Sequence, residues 1–191
     1  NVPRGFPGSH SLDLLHQSLD VFLKTGILRS PTFDKSLRDG KGDRSGWREL
    51  KSKILILEGW FVGCEPVSDL NKIDSLSEDK FNLSLSQDEK DYRSLIQESL
   101  IKYSKIWKKF DKIWHLKSSH FNNTILWKTQ QEEEMIKIRG SGLKGNNLTD
   151  FIRMIQSSIP QQSLSFINAD TTVQINQHRR IDKLLTTKYH F

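Results

Sequence analysis

The run Ile54-Leu55-Ile56-Leu57-Glu58-Gly59 constrains the fold more than any other stretch. Four consecutive aliphatic residues are too few for a core helix, and with their polar flanks they predict a strand buried on both faces, as in a parallel sheet. In α/β sheets ligands bind beyond the carboxyl ends of the strands, and Glu58 stands at that end. A carboxylate there can reach a metal or substrate, and Gly59 permits a close backbone approach. On the run alone, a carboxylate that caps a loop is the simpler reading. The neighbouring GWFVG and the charged glycine loop DKSLRDGKGDR upstream shift the balance to function.

The flanking periodicities predict alternating helices and strands. Leu12, Leu15, Leu19, Phe22 and Leu23 recur at helical spacing through 11–24, and Gly26 is a stop signal. Residues 27–47 mix a short extended piece with a charged loop carrying Gly40, Gly42 and Gly46, and 67–86 read as an irregular connection with one weak amphipathic turn. Leu95, Leu100, Tyr103, Trp107, Phe110 and Trp114 predict a helix over 88–114, with a candidate break near Asp111. Further helices are expected over 125–138, closed by the Gly140 and Gly142 loop, and over 148–159, closed before Pro160. Residues 163–167 and 171–175 read as strands, and 181–185 as a strand or short helix. Alternation of this kind predicts α/β architecture, and 191 residues predict one domain spanning 1–191.

A net charge of +6 and a pI near 9.4 make an anionic partner the natural expectation: nucleotide phosphate, a carboxylate substrate, nucleic acid or an acidic membrane surface. The same charge also describes a merely basic, solvated surface. A lone Cys64 excludes an internal disulfide and a CxxC metal site, which fits a reducing compartment, so cytoplasm is expected. Cys64 itself reads as a small buried hydrophobe. The six histidines show no zinc-ligand spacing. No apolar run approaches the roughly 20 residues of a bilayer span.

Several motifs together carry a resemblance. PTFDKSLRDGKGDR precedes ILILEGWFVG, which Pro66 follows; RGFPGSHS matches RGxPGTHD, WKTQQEEEM matches WRxQQE, and GSGL matches GxGM. In this order they resemble the D-glycerate 3-kinase family, P-loop kinases similar to uridine kinase and phosphoribulokinase. The resemblance implies a P-loop NTPase-like parallel sheet flanked by helices, with ATP and Mg2+ as cofactors and D-glycerate as the small-molecule substrate phosphorylated to 3-phosphoglycerate. It implies that Glu58 is the acid of a Walker-B-like strand, catalytic and in indirect contact with Mg2+. Asp34 becomes the second catalytic candidate, and either carboxylate is open as the base. Lys35, Asp43, Arg44 and His10 become candidates to grip the substrate, Arg44 through a bidentate fork. Lys128 and Gln131 become candidate lid or nucleotide contacts.

The departures are equally specific. Ser11 follows His10 where the family has Asp, and Lys128 replaces an Arg. The sequence contains no GxxxxGK[ST], the loop whose amides cradle phosphates, and RGSGLKGNN around Gly142 lacks its ending and its preceding strand. The expectation is an N-terminally incomplete kinase domain lacking its first strand, P-loop and first helix, and inactive by itself. A competing reading takes Lys102, Lys105, Lys109 and Lys112 as one helix face that meets nucleic-acid phosphates, with Tyr103, Trp107, Phe110 and Trp114 beside it. Arg179 and Arg180 are candidates to approach phosphate or adenine, against the plainer reading of two surface arginines.

Overall fold

Gly26 ends the first helix in the left-handed conformation (φ 71°), and its N–H reaches back to Phe22 O at 2.7 Å. In this computed structural model, which describes residues 2–69, 84–160, 163–164 and 168–187, the chain divides into two compact units, 1–62 and 63–191. In the first unit α1 (Leu12–Thr25) buries Leu19 and Phe22, as its spacing predicts. It packs on β1 (Ile27–Asp34), and Ser18 Oγ donates to Arg29 O at 2.9 Å.

β1 pairs antiparallel with β2 (Asp43–Lys51), so most of the expected charged loop is a hairpin. Its sequence lacks hydrophobic alternation because β2 is largely exposed. Only residues 35–42 form the tip, where Arg38, Asp39, Gly40 and Gly42 all have positive φ.

The run 54–57 departs from expectation: it forms no strand, and Ile54 and Ile56 are 76% and 85% exposed. Leu55 and Leu57 are half-buried, so the run alternates, one side packed and one side bare. Burial on both faces needs sheet neighbours, and no described strand pairs with it.

The second unit is built on α2 (Gln87–Trp107). A capping box opens it: Glu89 N donates to Ser86 Oγ (3.2 Å) and Ser86 N to Glu89 Oε2 (2.9 Å). Ile96, Leu100, Tyr103, Ile106 and Trp107 line its core side. Trp107 Nε1 donates to Cys64 O at 3.0 Å, and burial pushes the Cys64 thiol up to about 12, so Cys64 is an inert core residue.

The predicted continuation to Trp114 does not occur. The helix stops at Trp107, and Trp114 opens β3 (Trp114–Ser118), 67% exposed. Lys109 and Lys112 therefore lie outside the helix, and Lys112 Nζ pairs with Asp170 Oδ1 at 3.1 Å. Tyr103 and Trp107 are buried against each other with ring centroids 5.6 Å apart. The single cationic face with stacking aromatics across 102–112 is absent, and the nucleic-acid reading loses its geometry.

After β3 come α3 (Phe121–Arg139) and α4 (Gly145–Ser158), then β4 (Thr171–Ile175) and β5 (Ile181–Thr186). β3 and β4 are parallel, joined by the helical crossover that parallel pairing demands; β5 runs antiparallel to β4, giving a mixed sheet in the order β3-β4-β5. Of the expected strand over 163–167, residues 163–164 are helical instead and 165–167 lie outside the described residues, as does most of the connection over 67–86. No described helix is long and apolar enough to cross a membrane.

Two arginines join α2 to α4. Arg93, 2% exposed, donates from Nε to Ser157 O at 2.7 Å, so a buried cation satisfies carbonyls at the negative end of α4. Arg153 forks onto Glu89 at 2.5 and 2.6 Å and onto Ser84 O at 2.9 Å. The Arg153 bond holds Glu89 down at about 2.

A carboxyl depressed by folding contributes stability above its unfolded value, near 4.5, and loses it as pH falls toward 2. Both partners are partly exposed, so the loss should be about 1 kcal/mol. Urea midpoints of wild type and Glu89→Gln between pH 6 and pH 2.5 should converge as pH falls. A constant gap across that range would contradict the assignment.

Candidate active site

The N-terminal loop of the first unit ties its two other motif segments together. Phe6 is 1% exposed and packs on Phe61 (centroids 5.3 Å) and edge-on to Trp60 (6.5 Å), residues that follow Glu58 by two and three positions. Ser9 fixes the loop's shape, accepting from Gly5 N (3.0 Å) and donating to Phe6 O (2.8 Å). Two residues before Phe6, Arg4 reaches the hairpin tip: Nη1 donates to Lys41 O at 3.0 Å, and the guanidinium lies 5.7 Å from the Phe33 ring centroid. Gly42 must be glycine there. Its φ is 81°, and a Cβ would fall 2.4 Å from the Phe33 ring and 2.9 Å from Arg4 Nη1.

The hairpin register sets Asp34 opposite Asp43. Facing carboxylates repel, and separate donors offset that here. Ser36 donates to Asp34 Oδ1 from N (2.8 Å) and Oγ (2.6 Å), which holds the Asp34 carboxyl below its usual range. Arg38 Nε pairs with Asp43 Oδ2 at 2.6 Å, while Asp43 Oδ1 accepts from Arg44 N at 2.8 Å. Asp43 thus braces the tip and the Arg44 backbone. Lys35 and Arg44 are exposed on either side of it.

Glu58 is exposed on the loop that Phe6 clasps. His10 lies four residues beyond Phe6, and partial desolvation lowers its imidazole below the ordinary value. Among the described residues no three His, Cys, Asp or Glu side chains form a metal cage.

In the second unit two motifs lock together. Glu132, 4% exposed on α3, pairs with Lys128 one turn earlier and accepts from Leu143 N at 2.7 Å. Lys128 also lies 4.7 Å from the Phe151 ring centroid. The Lys128 bond is the main cause holding the Glu132 carboxyl below its usual range. The carboxylate of WKTQQE thus anchors the GSGL turn, while Gln131 is exposed. Sequence reasoning passed over Glu132; the signal was its i,i+4 spacing from Lys128. Arg4 and Phe6 were passed over too, although both stand inside RGFPGSHS.

No family model matches the chain. A D-glycerate 3-kinase from Cryptococcus neoformans superposes with a TM-score of 0.78, covering 96% of this chain and 69% of that one at 24% identity. The chain has the D-glycerate 3-kinase fold. The YGR205w protein structure superposes at 0.73, over 98% of this chain and 68% of that one, at 25% identity. In sequence, the chain is 28% identical over 182 residues to the probable ATP-dependent kinase TDA10 of Saccharomyces cerevisiae, across 88% of this chain. It spans 58% of that relative's length. The P-loop kinase-like fold read from the motifs agrees with these likenesses, the sheet being mixed.

The Glu132 anchor makes the turn at Gly142 intolerant of a side chain. A Cβ there would lie 2.9 Å from Ile136 Cγ1, 3.0 Å from Glu132 Oε2 and 3.1 Å from Glu132 O. Gly142→Ala should lower stability by about 1 to 3 kcal/mol in chemical denaturation. A wild-type midpoint would show that the turn is not anchored this way.

Proposed function

We propose that this chain takes part in ATP-dependent phosphorylation of D-glycerate to 3-phosphoglycerate. The observation that supports it is the N-terminal loop that joins the hairpin tip, with Asp34, Asp43 and Arg44, to the loop after Glu58. Phosphoryl transfer rests on positioning and charge neutralisation, which such a loop cluster can supply.

The roles follow from the bonds already made. Both Ser36 bonds fall on Asp34 Oδ1, so Oδ2 is the oxygen left to orient the glycerate 3-hydroxyl. With Asp34 committed to Ser36 and to the substrate hydroxyl, we assign proton removal to Glu58. Arg44 and Lys35 take the substrate carboxylate and the incoming phosphoryl charge, with Asp43 fixing the Arg44 backbone. Partial burial favours the neutral form of His10, which we assign to the substrate side of the loop. ATP would supply the γ-phosphoryl group, and Glu58 would take the proton of the glycerate 3-hydroxyl that receives it.

Glu58 would hold Mg2+ through the ion's waters, its other ligands coming from phosphates. The sequence holds no GxxxxGK[ST], the loop that cradles the β- and γ-phosphates of ATP. That cradle would be supplied by a segment other than these 191 residues. Gln131 is the exposed α3 residue in the nucleotide-contact motif. A cytoplasmic setting fits the single buried thiol.

Coupled-enzyme assays test this reading. The chain alone should show no glycerate-dependent ATP turnover, and joining a strand–GxxxxGK[ST]–helix segment to its amino end should produce it. In the joined protein Glu58→Gln should lower kcat by roughly 100-fold or more with little change in KM. Wild-type kcat in that variant would remove Glu58 from the chemistry.

A further inference from the structure

The basic turn between β4 and β5 is built with unusual care for an exposed connection. Asn176 Oδ1 accepts from His178 N (3.0 Å) and Arg180 N (3.1 Å), and its Nδ2 donates to Asp182 Oδ1 at 2.8 Å. The main chain adds a pair of bonds, Asn176 N to Arg180 O at 3.0 Å and Arg179 N to Asn176 O at 2.9 Å. Inside this brace Arg179 takes a positive φ of 59°, which side-chain-bearing residues seldom adopt.

The turn is also docked. Trp127 Nε1 on α3 donates to Gln177 O at 2.8 Å, and the Arg179 guanidinium stands 5.9 Å from the Trp127 ring centroid. A guanidinium held over an indole face by a cation–π contact can still turn its planar fork of N–H donors to an anion.

α3 therefore presents two different faces. Lys128 and Glu132 share one, turned to the GSGL turn and Phe151, where the ammonium is spent on a buried carboxylate. Trp127 and Gln131, also one turn apart, share the neighbouring face. Gln131 is exposed there, and the Arg179 guanidinium lies over Trp127.

We infer that Arg179, lying over the Trp127 ring, is the cationic contact this unit offers to the polyphosphate of a nucleotide, and that Lys128 is an internal strut. The polyphosphate assignment rests on the kinase reading above. The site itself, a guanidinium held over an indole on a braced turn, stands on its own geometry. Arg180 on the same turn adds positive potential.

Equilibrium binding separates the two cations. The whole chain is titrated with inorganic tripolyphosphate and with ATP at fixed salt, following heat or intrinsic fluorescence. Arg179→Ala should raise Kd about 10-fold or more, the loss of one charge-assisted contact. Arg179→Gln should behave alike, and Arg179→Lys should recover only part of the affinity, because the planar fork is gone. Lys128→Met should lower the unfolding midpoint yet shift Kd far less than Arg179→Ala. Failure of the wild type to bind tripolyphosphate, an unchanged Kd in both Arg179→Ala and Arg179→Gln, or a larger loss in Lys128→Met would each overturn the inference. Arg179-dependent binding without glycerate-dependent turnover in the joined protein would uphold this site while removing the kinase reading. Turnover with a KM for ATP indifferent to Arg179 would do the reverse.

Discussion

Burial of the Phe6 ring against Trp60 and Phe61 is the contact on which the first unit's arrangement depends. Burying a phenylalanine contributes about 1.5 to 3 kcal/mol, whereas an exposed ion pair such as Arg38–Asp43 contributes roughly 0 to 1 kcal/mol. The polar contacts at the hairpin tip select a geometry that the aromatic clasp makes affordable. Without it, Arg4 would have no fixed base from which to reach Lys41 and Phe33. A two-stranded hairpin is marginal by itself, and here α1 supports one part of it while the N-terminal loop supports its tip.

The second unit uses charge differently. Arg93 and Glu132 are buried ions, each committed to backbone groups: Arg93 to a carbonyl at the end of α4, Glu132 to the Leu143 amide before its start. Buried charges with complete partners fix geometry, since removing one partner strands the other. α4 is in this way held at both ends, which sets the position of the α3 face that carries Lys128. The consequence for function is a division of labour on α3, between a charged face turned inward and an exposed face beside the β4–β5 turn.

Much of this was legible in the sequence where periodicity reports burial directly. α1, α4 and β4 follow their apolar spacing, whereas α3 buries Asn123 and Glu132 and leaves Leu126 and Ile138 exposed; the glycine at 140 ends α3 with φ 72° as its position predicts. Two misreadings share one cause, an apolar pattern produced without the expected neighbours. Ile54–Leu57 looks like an interior strand, yet Ile54 and Ile56 are bare and unpaired. Trp114 extends the helical spacing of α2 by coincidence, because a Trp on an exposed strand edge and a Trp on a helix look alike in one dimension. The hairpin was hidden for the opposite reason: its strands are solvated, so no alternation marks them.

The site was legible only as motifs. RGFPGSHS, the charged hairpin and LEGWF each pointed to chemistry, but nothing in their spacing told that an aromatic ring inside the first would clasp the third. Nor did the sequence say which cation on α3 is spent internally, since Lys128–Glu132 reads equally as a solvated helical pair. Amide hydrogen exchange across the first unit of Phe6→Ala tests the clasp most directly. If Phe6 holds the segments together, exchange should quicken both at the hairpin tip, residues 35–44, and in the loop over 58–62, while α2 in the second unit is unchanged. Wild-type protection at the hairpin tip in that variant would contradict the account.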